Sequence, residues 1–166
     1  MAAPKVHVVV VDPYDARAGL LVPAVTQRIR AFCAQYMDEV DPDAFTRATM
    51  VQLWAQNPRL AIVALVNDEG KVVGHAVASI EESGEKVRVF ISQCQADGNV
   101  GDAVKRAIAL ADAWGRKHGA THMAMSTQRD DGAWERRYGF KTQRHLMVRM
   151  IGDPIEGVTA SKGGDT

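Results

Sequence analysis

Cysteine is nearly absent from this sequence. There are two, Cys33 and Cys94, far apart and without metal-ligand spacing. This argues against a disulfide scaffold and makes a reducing compartment the simpler assumption. No stretch is long and apolar enough to read as a membrane span. The N-terminal run Val6–Val11 carries His7, stops at Asp12-Pro13 and lacks a signal-peptide cleavage pattern. Net charge is missing too: 20 Lys and Arg balance 20 Asp and Glu, so overall charge lends no support to a nucleic-acid partner. The chain has no internal repeat and no linker between two cores. A soluble, cytoplasmic protein with no membrane partner and no metal is expected.

What is present fits one domain. At 166 residues the chain can bury a sizeable core, and 46% apolar with 24% charged residues is ordinary for a globular protein. The most informative stretch is Val87–Ala120. Val87–Ile91 is β-branched and aromatic and reads as a strand that continues to about Gln93. Gln95–Gly101 reads as a loop with Gly98 and Gly101. A helix over 102–118 follows, with Val104, Ala107, Ile108, Ala111, Trp114 and Gly115 at the spacing of one buried face, and Gly119 just past its end. A helix opening after a glycine loop presents free N–H groups and a positive dipole end, which suit a phosphate. A plain strand-to-helix connection uses the same residues.

The remaining elements follow in order. Lys5–Val11 is a first strand. Pro23 suits the first position of a helix running to about Met37, with Val25, Ile29, Phe32, Cys33 and Tyr36 on one face. Asp41-Pro42-Asp43 marks a second helix start. Leu60–Val66 and Val72–Ile80 form a hairpin around Asn67-Asp68-Glu69-Gly70. A strand over 121–127, a short helix around Ala133–Arg137 and a last strand over 140–151 complete the domain, residues 1–151. Residues 152–166 read as a loose polar tail. Strands and helices in this order predict an α+β fold.

The hairpin phrase Asp68-Glu69-Gly70-Lys71-Val72-Val73-Gly74 and the terminal phrase Trp134-Glu135-Arg136-Arg137-Tyr138-Gly139-Phe140, in this order of elements, resemble the GCN5-related N-acetyltransferase superfamily over roughly residues 5–151. The resemblance implies a mixed, mostly antiparallel sheet of six or seven strands flanked by about four helices, splayed open to admit acetyl-CoA as co-substrate. It implies that Ile91 and Ser92 offer backbone groups to the pantetheine arm and thioester. It further implies that Gly98, Asn99, Val100, Gly101 and Asp102 cradle the pyrophosphate. The reaction implied is direct attack of an amine, small-molecule or protein, on the thioester, with a base and an acid.

The loop departs from the family phrase Arg/Gln-x-x-Gly-x-Gly/Ala. Anchored on Gln95, Val100 takes the small-residue position. Anchored on the helix, Gly101 fits, but Ala96 replaces the basic residue and Asn99 the first glycine. Asp97 and Asp102 place acidic groups beside the expected pyrophosphate, although Asp102 also suits a helix start. Glu135 stands where the family's acid, a tyrosine, usually lies, and Tyr138 follows it. Glu81 is a base candidate at the end of the third strand. His75 on that strand alternates with Val73 and Val77 and reads as a packed, hydrogen-bonded histidine. Cys94 reads as a small buried thiol.

The alternative function is a catalytically inactive module of the same fold that binds or assembles. Small members with such loops resemble ones encoded in bacteriophage genomes. A homodimer or a protein partner stays open. Between Arg116 and Arg149 eight basic residues face three acidic ones, but Trp134, Tyr138 and Phe140 sit at packing distances in sequence, so nucleic acid is disfavoured.

Overall fold

The computed structural model describes residues 5–125 and 131–140, with the side chains of 131–133 left aside. The elements run β1 (Val6–Val10), α1 (Ala18–Tyr36), α2 (Pro42–Trp54), β2 (Leu60–Asn67), β3 (Val72–Ser83), β4 (Lys86–Ala96), α3 (Ala103–Lys117), β5 (His122–Met125) and α4 (Asp131–Tyr138). The fold is α+β, as expected. Among the described residues the sheet has five strands rather than six or seven. The last expected strand, 140–151, and the tail, 152–166, lie outside the described residues apart from Phe140. Two compact units are formed, residues 1–130 and 131–166; α4 is in the second.

In the first unit the strands lie in the order β1-β2-β3-β4-β5, antiparallel except for the β4–β5 pair. One face of the sheet carries α1 and α2. Val25, Ile29, Met50 and Leu53 from these helices meet Val11, Ile62, Ala64, Val72 and Val77 in the main core. A smaller cluster of Val6, Leu65, Val100 and Ala103 packs α3 against the sheet.

Asp41 starts α2 as its sequence indicates: its Oδ1 accepts from the Ala44 N–H at 2.7 Å, and Pro42 opens the helix. Pro23 does not open α1. The helix begins five residues earlier, at Ala18, and Pro23 lies inside it. Leu21 and Val22, both buried, extend the apolar face of α1 back past the proline. The proline ring faces the carbonyl four residues back, at Gly19, so one backbone bond is forgone for that burial.

Helix α3 differs from its sequence pattern. Only Ala103 and Gly115 are fully buried, whereas Val104, Ala107, Ile108, Ala111 and Trp114 are half-buried. The helix sits close to the sheet because Gly115 has no side chain. A Cβ there would overlap a methyl group of Val89 on β4.

Candidate active site

The candidate site is built on β4. Its ladder with β3 changes register once: Val77 faces Gln93, but Ala78 faces Ile91. Ser92 is therefore the extra residue of a bulge, which breaks the ladder locally and bends the strand. The Ser92 hydroxyl donates to the Val77 carbonyl at 3.3 Å. The bulge also inverts the alternation of side chains. Val89 packs beneath Gly115 of α3, while Gln93, four residues on, bonds to Ile29 and Cys33 of α1 on the opposite face. On its other side β4 pairs with β5 over Arg88–Ile91, opposite His122–Met125. Ile91 and Ser92, the two residues expected to offer backbone groups, stand at the bulge.

Past the bulge β4 continues to Ala96, further than its sequence indicates. Gln95 and Ala96, expected in the loop, pair with His75 and Gly74. Gly74 makes this possible: a Cβ there would lie 2.9 Å from the Gln95 carbonyl oxygen and 2.8 Å from a Leu65 methyl.

The loop to α3 is held at each step. Asp97 N–H donates to the Val73 carbonyl at 2.8 Å. Gly98 and Gly101 take left-handed angles, φ 63° and 59°, and the Asn99 side chain accepts from Gly101 N–H at 2.9 Å. Val100 turns its side chain into the small core cluster, so its bulk is spent inward and only its backbone belongs to the loop. Asp102 precedes the helix but makes no side-chain bond to the helix amides; its carboxylate pairs with Arg106 at 3.1 Å. The first turn of α3 therefore has no side-chain cap, and its amides and dipole end face the loop.

The acidic groups of this loop are matched, which the sequence pattern did not convey. Both oxygens of Asp97 are held by Arg28 of α1, at 2.7 and 2.9 Å. These bonds keep the Asp97 carboxyl below the usual carboxylate range. Asp97 and Asp102 each have a guanidinium partner, so neither presents an uncompensated charge to an anion at the loop.

Behind Arg28 lies a buried polar chain. His75 Nε2 lies 2.8 Å from Gln93 Oε1, and the Gln93 amide nitrogen donates to the Ile29 carbonyl at 3.3 Å and to Cys33 Sγ at 3.1 Å. With the amide in that orientation His75 carries its proton on Nε2. Burial pushes its pKa down to about 4, against the Gln93 bond, which favours the charged form. His75 Nδ1 and Arg28 Nε are buried without hydrogen-bond partners among the described residues. His75 is thus a packed neutral histidine and not a base facing solvent. Cys33 is buried, and burial raises its thiol pKa. Cys94, expected to be buried, is half-exposed. Gln93 is the residue whose importance the sequence hid, because nothing in a strand sequence marks the bulge that turns it inward.

Of the candidate catalytic residues, Glu81 belongs to the first unit and Glu135 and Tyr138 to the second. Glu81 lies directly across from Arg88, whose Nε and terminal nitrogen donate to its Oε2 at 2.9 and 2.7 Å. Arg88 also lies over the Phe90 ring, 5.4 Å from its centroid. Glu135 is exposed on α4 and Tyr138 is half-buried near its end, with its ring 5.0 Å from that of Trp134. Trp134 also meets Phe140 edge to face. Gly139, with φ 72°, ends α4 by donating to the Glu135 carbonyl. Among the described residues no cluster of His, Cys, Asp and Glu could hold a metal ion, and no helix is long and apolar enough to cross a membrane.

No sequence-family model matches the chain, and no curated protein matches it by sequence. Solved structures do match. A protein of Pyrococcus furiosus assigned as an acetyl transferase superposes with a TM-score of 0.65 at 13% identity, over 89% of this chain and 100% of that one. Glucosamine-6-phosphate N-acetyltransferase of Arabidopsis thaliana gives 0.62 at 12% identity, over 89% and 99%. An aminoglycoside N-acetyltransferase, AAC(6')-Iy, in complex with CoA gives 0.62 at 18% identity, over 90% and 97%. These superpositions agree: this chain has the fold of the GCN5-related N-acetyltransferases.

Proposed function

We propose that the chain is an acetyl-CoA-dependent N-acetyltransferase acting on an amine. The observation that carries this reading is the bulge at Ser92, followed by a glycine loop into a helix with no side-chain cap. These residues suit a CoA ester. Backbone amides of 98–102 and the first turn of α3 would hold the pyrophosphate, a task that needs amides rather than particular side chains. The bulge would offer backbone groups at Ile91 and Ser92 to the pantetheine arm. Acetyl-CoA would supply an activated thioester. In this reading Glu81, oriented by Arg88, takes the proton from the attacking amine, while Glu135 and Tyr138 are acid candidates by their place in the sequence alone. Arg28 acts earlier, by fixing Asp97 and so the start of the loop.

Calorimetric titration of acetyl-CoA tests the proposal. Binding with modest affinity, in the micromolar to roughly millimolar range, is expected. Absence of binding at millimolar concentration would remove the enzyme reading in favour of a non-catalytic module of this fold, which the tie between Glu81 and Arg88 and the exposure of Glu135 also accommodate.

A further inference from the structure

Two residues at the end of β4 are fastened to consecutive residues of α1. The Gln93 side chain donates to the Ile29 carbonyl at 3.3 Å, and Arg28 donates to both oxygens of Asp97 at 2.7 and 2.9 Å. Between them Gln95 and Ala96 stay paired to β3, and Asp97 N–H makes a last bond to the Val73 carbonyl before the glycine loop departs. The stretch 93–97 is thus stapled at both ends to a single turn of α1.

The two ends differ in burial. Asp97 is half-exposed, whereas Gln93 is sealed, with 1% of its surface accessible. Both halves of the Gln93 amide are used. Its Oε1 lies 2.8 Å from His75 Nε2, and its nitrogen also donates to Cys33 Sγ at 3.1 Å. The Ile29 carbonyl can only accept, so the amide has one orientation. Val25 and Ile29 hold α1 on the sheet by apolar contact, which is non-directional and leaves the helix free to shift along β4. Hydrogen bonds have preferred lengths and angles and remove that freedom. We propose that Gln93 is a positioning residue for the cofactor loop. Its amide sets the place of α1 along β4, and Arg28, the residue before Ile29, carries that place to Asp97 and to the amides that follow. The inference rests on the reading of 98–102 as the cradle for acetyl-CoA.

A double-mutant cycle on acetyl-CoA affinity, read by calorimetry on folded protein, tests the link. Gln93→Met keeps the length of the side chain and removes the amide, and Asp97→Asn removes the charge that Arg28 grips. Each should weaken binding by roughly tenfold, and the two together by little more than either alone, because both interrupt one route. Wild-type affinity in folded Gln93→Met overturns the proposal, since a residue that only stabilises the fold would lower the melting temperature and leave affinity unchanged. A loss of roughly a hundredfold in the double variant, the product of independent effects, overturns it too. If Gln93→Met does not fold, Gln93→Asn, which withdraws the amide by one methylene, goes through the same cycle with the same criteria. If the wild-type protein binds no acetyl-CoA, the cofactor reading fails, and hydrogen exchange decides the link to the loop. Asp97 N–H should then exchange faster in the folded Gln93 variant than in wild type. Val11 N–H, bonded to the Ile62 carbonyl beside the far edge of the sheet, is the control for overall stability. An equal change at both amides overturns the link.

Discussion

The two faces of the sheet are held in different ways. On one, α1 and α2 pack large side chains: Val25, Ile29 and Ile62 are fully buried, and the His75–Gln93–Cys33 chain is sealed among them. On the other, α3 touches down through its smallest residues, Ala103 and Gly115, and leaves Ile108 and Trp114 half-buried. The first face resists change through volume and the second through closeness of backbone. The candidate loop lies between them. Its start is tied to α1 by Arg28 and Asp97, and its end is tied to α3 by Val100 and Ala103. The position of the α3 amides therefore depends on both kinds of packing.

The sharpest way to break the comparison is to place the same charge on each face. Ile29→Asp should cost about 4 kcal/mol or more, because the carboxylate would have neither water nor partner. Ile108→Asp should cost about 1 kcal/mol, since the half-buried site lets the charge reach solvent. Denaturant titration of both variants checks this. Equal losses would show that the α3 face is as closed as the other.

Acid should weaken the α1 face through His75. Its folded pKa, about 4, lies below the ordinary value of 6.5. Between these values the unfolded chain binds a proton that the folded chain excludes, so stability falls as pH drops from 6.5 toward 4 and the loss levels off below that. The full effect is at most about 3 kcal/mol. His75→Gln should flatten this limb relative to wild type in melting experiments across that window. Parallel curves for the two proteins would show that His75 is solvated.

Two glycines sharpen the contrast in sign. Gly115→Ala gains about 1 kcal/mol of helix propensity but forces a methyl group against buried Val89, so a net loss of about 1–2 kcal/mol is expected. Gly19→Ala in α1 meets nothing within 4 Å and should stabilise by up to about 1 kcal/mol. Melting temperatures moving in opposite directions are the expected result. A stabilised Gly115→Ala would mean that α3 can lift from the sheet without penalty.

What the sequence disclosed follows from the range of each interaction. Asp41-Pro42 is a local signal and located the start of α2. The glycines at 98 and 101 are local too, and both have the left-handed angles that a loop of this kind needs. Pro23 misled because burial of Leu21 and Val22, a property of the whole core, outweighed one backbone bond. The bulge at Ser92 has no sequence mark, since it arises from the pairing of β4 with β3. Without it, alternation puts Gln93 on the same face as Val89 and hides the polar chain. The charge match of Asp97 is equally non-local: Arg28 is 69 residues away. The acidic loop looked hostile to a phosphate only because its partner was out of view.

That last point yields the smallest and most discriminating change. Asp97→Asn keeps the shape of the side chain and removes its charge. If Asp97 mainly repels the phosphates, the substitution should tighten acetyl-CoA binding. If Asp97 mainly anchors the loop to α1, binding should weaken, because the amides of 98–102 would no longer be fixed in direction. The structure favours the second outcome. Arg28 is largely buried, with 17% of its side chain exposed, and holds both carboxylate oxygens, so its charge already offsets that of Asp97. A loss of roughly tenfold in affinity is expected, equivalent to about 1.4 kcal/mol, with a fall in stability of no more than about 1 kcal/mol because Asp97 is half-exposed. Arg28→Lys, which keeps the charge but loses the fork that grips both oxygens, should fall between wild type and Asp97→Asn. Tighter binding by Asp97→Asn would show that the acidic loop hinders the cofactor rather than holding its cradle in place.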